Sequence, residues 1–122
     1  MENSFTNRDI WQIESIIRYC NDIEDAIQTY GADEEDFLSN VHFQNSCAFS
    51  MMQIGEMVKR LSHELRTKYD EIEWSGITKF RDILSHNYNN VHLHTFWETT
   101  MNETAPLKEQ CENILKELKD NP

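Results

Sequence analysis

Between Ile10 and Tyr30 the residues Ile10, Ile13, Ile17, Cys20, Ile23, Ile27 and Tyr30 recur every three or four positions. That spacing lays one apolar stripe along a long α-helix and fits no strand. Thr6 or Asn7 is placed to cap this helix, and Gly31 to end it. The same spacing returns after Asn40, a candidate cap, through Ala48, Met51, Ile54, Val58, Leu61 and Leu65, predicting a second long helix that ends near Tyr69. A third stripe runs through Trp74, Ile77, Phe80, Leu84 and Tyr88, with Asn89 and Asn90 closing it. A last helical region starts near His92, carries Phe96, Trp97 and Met101, and meets Pro106, which is expected to kink it or to restart it before Leu107, Cys111, Ile114 and Leu118.

Four main helices joined by short links predict an all-α fold, an antiparallel up-and-down bundle with a kinked or split C-terminal helix. Three glycines and two prolines suit packed helices better than a turn-rich β fold, and 122 residues suit one domain spanning 1–122. The acidic run ADEEDF, residues 32 to 37, is expected to form an exposed connector or short helix, with Asp33 to Asp36 simply solvated. Cys20, Cys47 and Cys111 lack any C-x-x-C pairing, so buried free thiols are expected rather than a disulfide framework or a zinc site. No stretch reaches the roughly 20 apolar residues of a membrane span, and the polar start MENSFTNRD lacks the apolar centre of a signal peptide. A cytoplasmic protein with no membrane partner is the expectation.

A net charge of −11 argues against a general coat for nucleic acid. Its distribution is uneven: residues 59 to 81 hold Lys59, Arg60, Arg66, Lys68, Lys79 and Arg81 against Glu64, Asp70, Glu71 and Glu73, a net of +2 that leaves −13 elsewhere. Such an island can receive a phosphate locally, and it can equally be an uneven solvating surface.

The segment KFRDILSHNYNNV, 79 to 91, sits on the third predicted helix and carries Arg81, Asp82, Ser85, His86 and Tyr88. At about 100° per residue, Arg81, Ser85 and Tyr88 fall near one line, and Asp82 and His86, four apart, on a second line beside it. On that line the Asp82 carboxylate is within reach of one His86 nitrogen and would fix its tautomer. Arginine grips phosphate bidentately, and imidazole moves protons at neutral pH, so the pair suits phosphodiester cleavage that uses no metal, with the RNA 2′-hydroxyl as nucleophile. The plainer reading stands beside it: Arg81 and Asp82 as partners of neighbouring helices, and His86 as a satisfied bundle histidine.

The run RDILSHNY fits the R-x-x-x-x-H-x-Y motif of the HEPN superfamily, and the chain resembles its HepT-like toxin family. The resemblance extends through MMQIGEMVKRLSHELRTKYDEIEWSGITKFRDILSHNY, including Ile54, Gly55, Glu56, the Leu61 to Leu65 turn and Trp74, and on through Trp97 and Glu98 to the Leu-Lys-Glu of 107 to 109. It implies an endoribonuclease toxin that needs no metal or other cofactor, acting on RNA as a homodimer whose motif residues meet in a cleft at the two-fold interface. Its antitoxin partner would be a minimal nucleotidyltransferase. Carried over, Arg81 holds the scissile phosphate, His86 acts as general base or acid, Asp82 orients the site, and Tyr88 is the residue silenced by attachment of AMP. The products would end in a 2′,3′-cyclic phosphate and a 5′-hydroxyl. The other reading within the same superfamily is a non-catalytic subunit that presents a substrate or nucleotide to the nucleotidyltransferase.

Glu56, Lys79 and Ser85 are further candidates for the cleft, although an exposed helical glutamate is as good a reading of Glu56. Lys79 and Phe80 stand where family members commonly have Gly-Met, and Asn89-Asn90 where Phe-Gly commonly follows the tyrosine. These departures bear on substrate and partner choice more than on fold. His92 replaces a common Asp and so changes the expected cap of the last helix; with His94 only two positions away, on a different face, no metal site is expected. Met51, Met52 and Met57 read as core filling or dimer contacts.

Overall fold

A computed structural model describes residues 7–120, and every element among them is helical. The first helix, α1 (Asn7–Tyr30), begins with Asn7 already helical, while the alternative cap Thr6 lies outside the described residues. It stops at Gly31 as expected: the backbone there takes φ 123°, and its N–H donates to Ile27 O at 2.8 Å. Only glycine enters that left-handed region without strain.

The acidic segment folds into α2 (Glu34–Leu38), the short helix of the two alternatives, and the expectation that the segment is exposed is corrected at Phe37. Phe37 is fully buried, edge-on to Phe43 and Phe96 at ring centroid distances of 5.1 and 4.9 Å. One turn of helix suffices to send its single large apolar side chain inward while Asp33 and Glu35 stay in water. A second tether comes from His94, whose Nδ1 lies 2.6 Å from Glu34 Oε2 and whose Nε2 lies 3.3 Å from Glu98 Oε1.

Asn40 caps α3 (Val41–Arg60) as expected, its Oδ1 accepting from the N–H groups of His42 and Phe43 at 2.9 and 3.3 Å. The helix does not run on to Tyr69. Leu61 turns extended, and Ser62 caps a separate short helix, α4 (His63–Lys68), by accepting from Leu65 N at 3.2 Å. The break is stabilised by Asp9 of α1, a buried carboxylate that accepts from Ser62 N at 2.8 Å and from Ser62 Oγ at 2.7 Å. Val58, Leu61 and Leu65 all remain in the core, so the apolar spacing runs unbroken across a chain break that it cannot reveal.

Trp74, anchored by its Nε1–H on Tyr69 O at 3.1 Å, opens α5 (Trp74–Asn87). Residues Tyr88–Asn90 follow as a 3-10 turn rather than a further α-helical turn. The last helix, α6 (Leu93–Asp120), is not restarted at Pro106, which lies inside it. Pro106 and Asn102, whose carbonyl loses its helical donor, are both exposed, so water can serve that carbonyl.

Among the long helices α1 packs on α3 and α6 and α5 packs along α3, and the pairs Glu24–Lys108 and Glu14–Lys119 show α1 and α6 running antiparallel. Ile13, Ile16, Ile23, Phe43, Ile54, Val58, Leu84, Phe96 and Ile114 form the centre, each burial contributing about 1.5–3 kcal/mol before the entropy of ordering is counted. The three cysteines are free and buried, and burial pushes the Cys20 and Cys47 thiols up to about 12. No helix among the described residues is long and apolar enough to cross a membrane. Between α5 and α6 the bundle opens into a cleft of about 370 Å³, lined by Met51, Ile54, Ile77, Phe80, Thr104 and Leu107.

The contact of α5 with α3 is set by Gly55. A Cβ there would strike Cβ and Cγ of Arg81, whereas a Cβ on Gly76 would meet nothing nearer than Glu73 Cβ at 3.8 Å. Gly55→Ala is therefore expected to destabilise by about 1–3 kcal/mol through forced displacement of α5. Gly76→Ala, in the same denaturation series, should be neutral or stabilising by up to about 1 kcal/mol.

His94 gives a pH-dependent test. The Glu34 hydrogen bond holds its imidazolium above the usual histidine value of 6.5. Because the folded state binds this proton more tightly, the stabilisation is fully present below that value and is lost as pH rises through the raised one. Thermal melts should show His94→Gln less stable than the parent chain at about pH 5.5, with the gap closing by about pH 9.

Candidate active site

The residues singled out on the motif helix do not all meet. Arg81 leaves α5 toward α3, its aliphatic stem crossing the backbone at Gly55, and its NH2 reaches Glu56 Oε2 at 3.0 Å. Its NH1 donates to Asp82 Oδ1 at 3.2 Å. With side-chain exposures of 21% and 29%, the Arg81–Glu56 pair is partly withdrawn from water and is screened less than a surface bridge. The Arg81 Nε is buried and has no hydrogen-bond partner among the described residues. The guanidinium is thus held in one place by its stem and by two carboxylates, while its terminal nitrogens carry more N–H groups than those carboxylates engage.

Asp82 does not orient His86 within this chain, contrary to the expectation from their four-residue spacing. Its Oδ1 lies 2.8 Å from Lys59 Nζ on α3 as well as 3.2 Å from Arg81, and the two cations hold its carboxyl below the usual carboxylate range, Lys59 contributing first. Two permanent positive charges outcompete a neutral imidazole for that oxygen. His86 is exposed and makes no hydrogen bond or ion pair with any described residue. Ser85 and Lys79 are likewise exposed on α5, outside the Arg81 cluster. Glu56, by contrast, is brought directly into it.

Tyr88 is half-buried in the 3-10 turn, and its hydroxyl donates to Asn45 Oδ1 at 2.6 Å. Burial raises its phenol pKa above the ordinary value of 10.0. Arg81 and Tyr88 therefore both face α3, as their seven-residue spacing suggests, but they dock eleven residues apart on it, at Glu56 and Asn45, about 16 Å along the helix. His92 turns out to cap α6 itself, Nδ1 accepting from Thr95 N at 3.3 Å and lying 2.9 Å from Thr95 Oγ1. No three His, Cys, Asp or Glu side chains among the described residues are grouped to hold a metal ion.

Lys59 and Asn45 are residues of this site outside the motif that, unlike Glu56, are not among the cleft candidates read from the sequence. Lys59 follows Glu56 by three residues, one turn along α3, a spacing that puts both on the face met by α5 once the register of the two helices is known. Asn45 carries no comparable sequence signal, since exposed helical asparagines are common.

This geometry sits within a chain of clear kinship. Residues 13–114 match the family described as Ribonuclease HepT-like. Among curated proteins, the chain is 33% identical over 108 residues to a Methanocaldococcus jannaschii protein named a gamma-glutamylcyclotransferase and putative RNase, covering 84% of this chain and 49% of that one. The chain thus spans about half the length of that relative. It is 32% identical over 105 residues to a second protein of the same organism, named a putative RNase, covering 86% of this chain and 89% of the relative. To the protein of Thermococcus cleftensis named probable ribonuclease HepT it is 29% identical over 103 residues, covering 80% and 94%. No solved structure matches the chain. With the family match spanning most of its helices, and with Arg81 and His86 on α5 and Tyr88 in the turn that follows it, the chain belongs to the HepT-like family of the HEPN superfamily.

Proposed function

We propose that this protein is an endoribonuclease toxin that cleaves RNA without a metal ion. The observation that carries the reading is the contrast along one helix: Arg81 clamped by Glu56 and Asp82, and His86 five residues later, exposed and without a partner among the described residues. A fixed cation suits a phosphate, and an imidazole with both nitrogens open suits proton transfer. The RNase names of the relatives support the same chemistry.

In this mechanism an imidazole takes the proton of the 2′-hydroxyl, and the freed oxygen attacks the adjacent phosphorus. The bond from phosphorus to the 5′-oxygen breaks, and that oxygen takes a proton from an imidazolium. A 2′,3′-cyclic phosphate and a 5′-hydroxyl result. Arg81 stabilises the charge that builds on the non-bridging oxygens. One chain offers one such histidine, and it does not touch Arg81. A two-fold axis beside α5 would double both groups and supply separate base and acid. Ile83, half exposed and three residues before His86, gives that free face an apolar contact for a homodimer.

Purified protein should be a dimer by light scattering and should cut unstructured RNA in excess EDTA. Arg81→Ala and His86→Ala should each lose about a hundredfold or more with melting unchanged. Activity that requires an added divalent ion, or that survives in His86→Ala, overturns the mechanism. Absence of cleavage by the parent chain favours the non-catalytic subunit instead.

Silencing is proposed at Tyr88, by AMP from a partner nucleotidyltransferase. The residue is half-buried against the core, but among the described residues its hydroxyl is tied only to exposed Asn45, so modification would break one hydrogen bond at the surface end of the side chain. The added phosphate and purine would crowd the open side of α5 with negative charge and volume against RNA. Co-expression with a minimal nucleotidyltransferase should add AMP mass to the Tyr88 peptide and suppress cleavage. No adduct, or an adduct on another residue, overturns the assignment.

A further inference from the structure

Two carboxylates, Glu56 and Asp82, contact one guanidinium, Arg81. On their own these three groups would carry a net charge of −1, which opposes approach of a phosphodiester. Lys59 corrects that balance. Its Nζ lies 2.8 Å from Asp82 Oδ1, the same oxygen that Arg81 NH1 meets at 3.2 Å, so the four groups together are neutral. As a stabilising contact the pair would count for little, since the side chains are 40% and 46% exposed. Its consequence is electrostatic and geometric.

We propose that Lys59 is a positioning residue of the ribonuclease site, holding and neutralising Asp82 so that Arg81 keeps its charge and orientation for the scissile phosphate. This rests on the ribonuclease reading above and extends it to a residue of α3 that lies outside the motif. Two features of the site point to Lys59 rather than to the other cations nearby. It is the only Lys or Arg besides Arg81 in ion-pair contact with a motif residue among the described residues. It also shares α3 with Glu56, one turn away, so a single rigid helix sets both supports of Arg81.

Without Lys59, Asp82 would fall wholly to Arg81, and the guanidinium would be over-satisfied by anions. A unit charge about 6 Å from a phosphate changes binding or rate by about three- to tenfold for effective dielectric constants of about 80 to 40. That sets the size of effect expected for Lys59→Gln.

The experiment measures RNA cleavage by the parent chain, Lys59→Gln, Lys59→Arg, Lys59→Gln with Asp82→Asn, and His86→Ala as the inactive reference. Lys59→Gln should lower kcat/KM about three- to tenfold with unchanged melting. Lys59→Arg should recover most of the loss. The double variant removes the stranded carboxylate with its partner and should exceed Lys59→Gln alone, an outcome that a merely structural loss would not give. An active parent chain with Lys59→Gln equal to it, or with the double variant no better than Lys59→Gln, overturns the Lys59 assignment and leaves the ribonuclease reading standing. A parent chain no more active than His86→Ala overturns the ribonuclease reading itself, and the Lys59 role with it.

Discussion

The close approach of α5 to α3 at Gly55 is the constraint on which the rest of the site depends. With no Cβ in the way, the stem of Arg81 lies directly on the α3 backbone, and its guanidinium arrives beside Glu56. The same register brings Lys59 to Asp82 and Asn45 to Tyr88. One missing methyl group thus sets the distance between two helices, and that distance sets three polar contacts. Among the described long helices α5 packs most extensively along α3, with Phe80 against Phe96 as a further contact on α6, so the register at Gly55 rests mainly on α3.

Much of the fold was legible because apolar spacing reports which face of a helix is buried. The α1 stripe, the Gly31 stop and the Asn40 cap all follow from residues whose backbone or side-chain chemistry leaves few options. What was not legible shares a cause. The break after Arg60 depends on Asp9, more than fifty residues earlier in the chain, and leaves the apolar spacing intact because α4 keeps burying Leu65. The inward turn of Phe37 depends on Phe43 and Phe96 being there to receive it. In both places a tertiary partner decides, and local pattern cannot name it.

The motif was legible as a list of residues and less so as a constellation. Helical spacing put Arg81, Ser85 and Tyr88 on one line, of which Arg81 and Tyr88 meet α3 and Ser85 stays exposed; it also placed Asp82 within reach of His86, and the carboxylate went elsewhere. Angular position on a helix says which groups are near one another. It does not say which competitor from a neighbouring helix carries more charge. Lys59 and Arg81 are permanent cations and His86 is not, so the order of preference follows from ordinary electrostatics once α3 is in view.

On the ribonuclease reading, an acidic chain must meet a polyanion, and the charges around Arg81 and His86 divide that problem between them. Around Arg81 the formal charges cancel, so a single chain would not draw RNA by net attraction; what it would offer is a guanidinium already oriented, able to bond a phosphate without reorganising. His86 is the opposite case, exposed and held by nothing among the described residues, so on this reading its orientation has to come from whatever covers that face. On the homodimer reading, the covering surface is a second copy of α5 bringing its own Ile83, Arg81 and His86. The apolar contact would then exclude water at the point where two oriented cations and two imidazoles converge, and the low dielectric there would strengthen charge interactions that a single, solvated chain leaves weak. Dimerisation would in that way supply both the missing orientation of the histidine and the missing field.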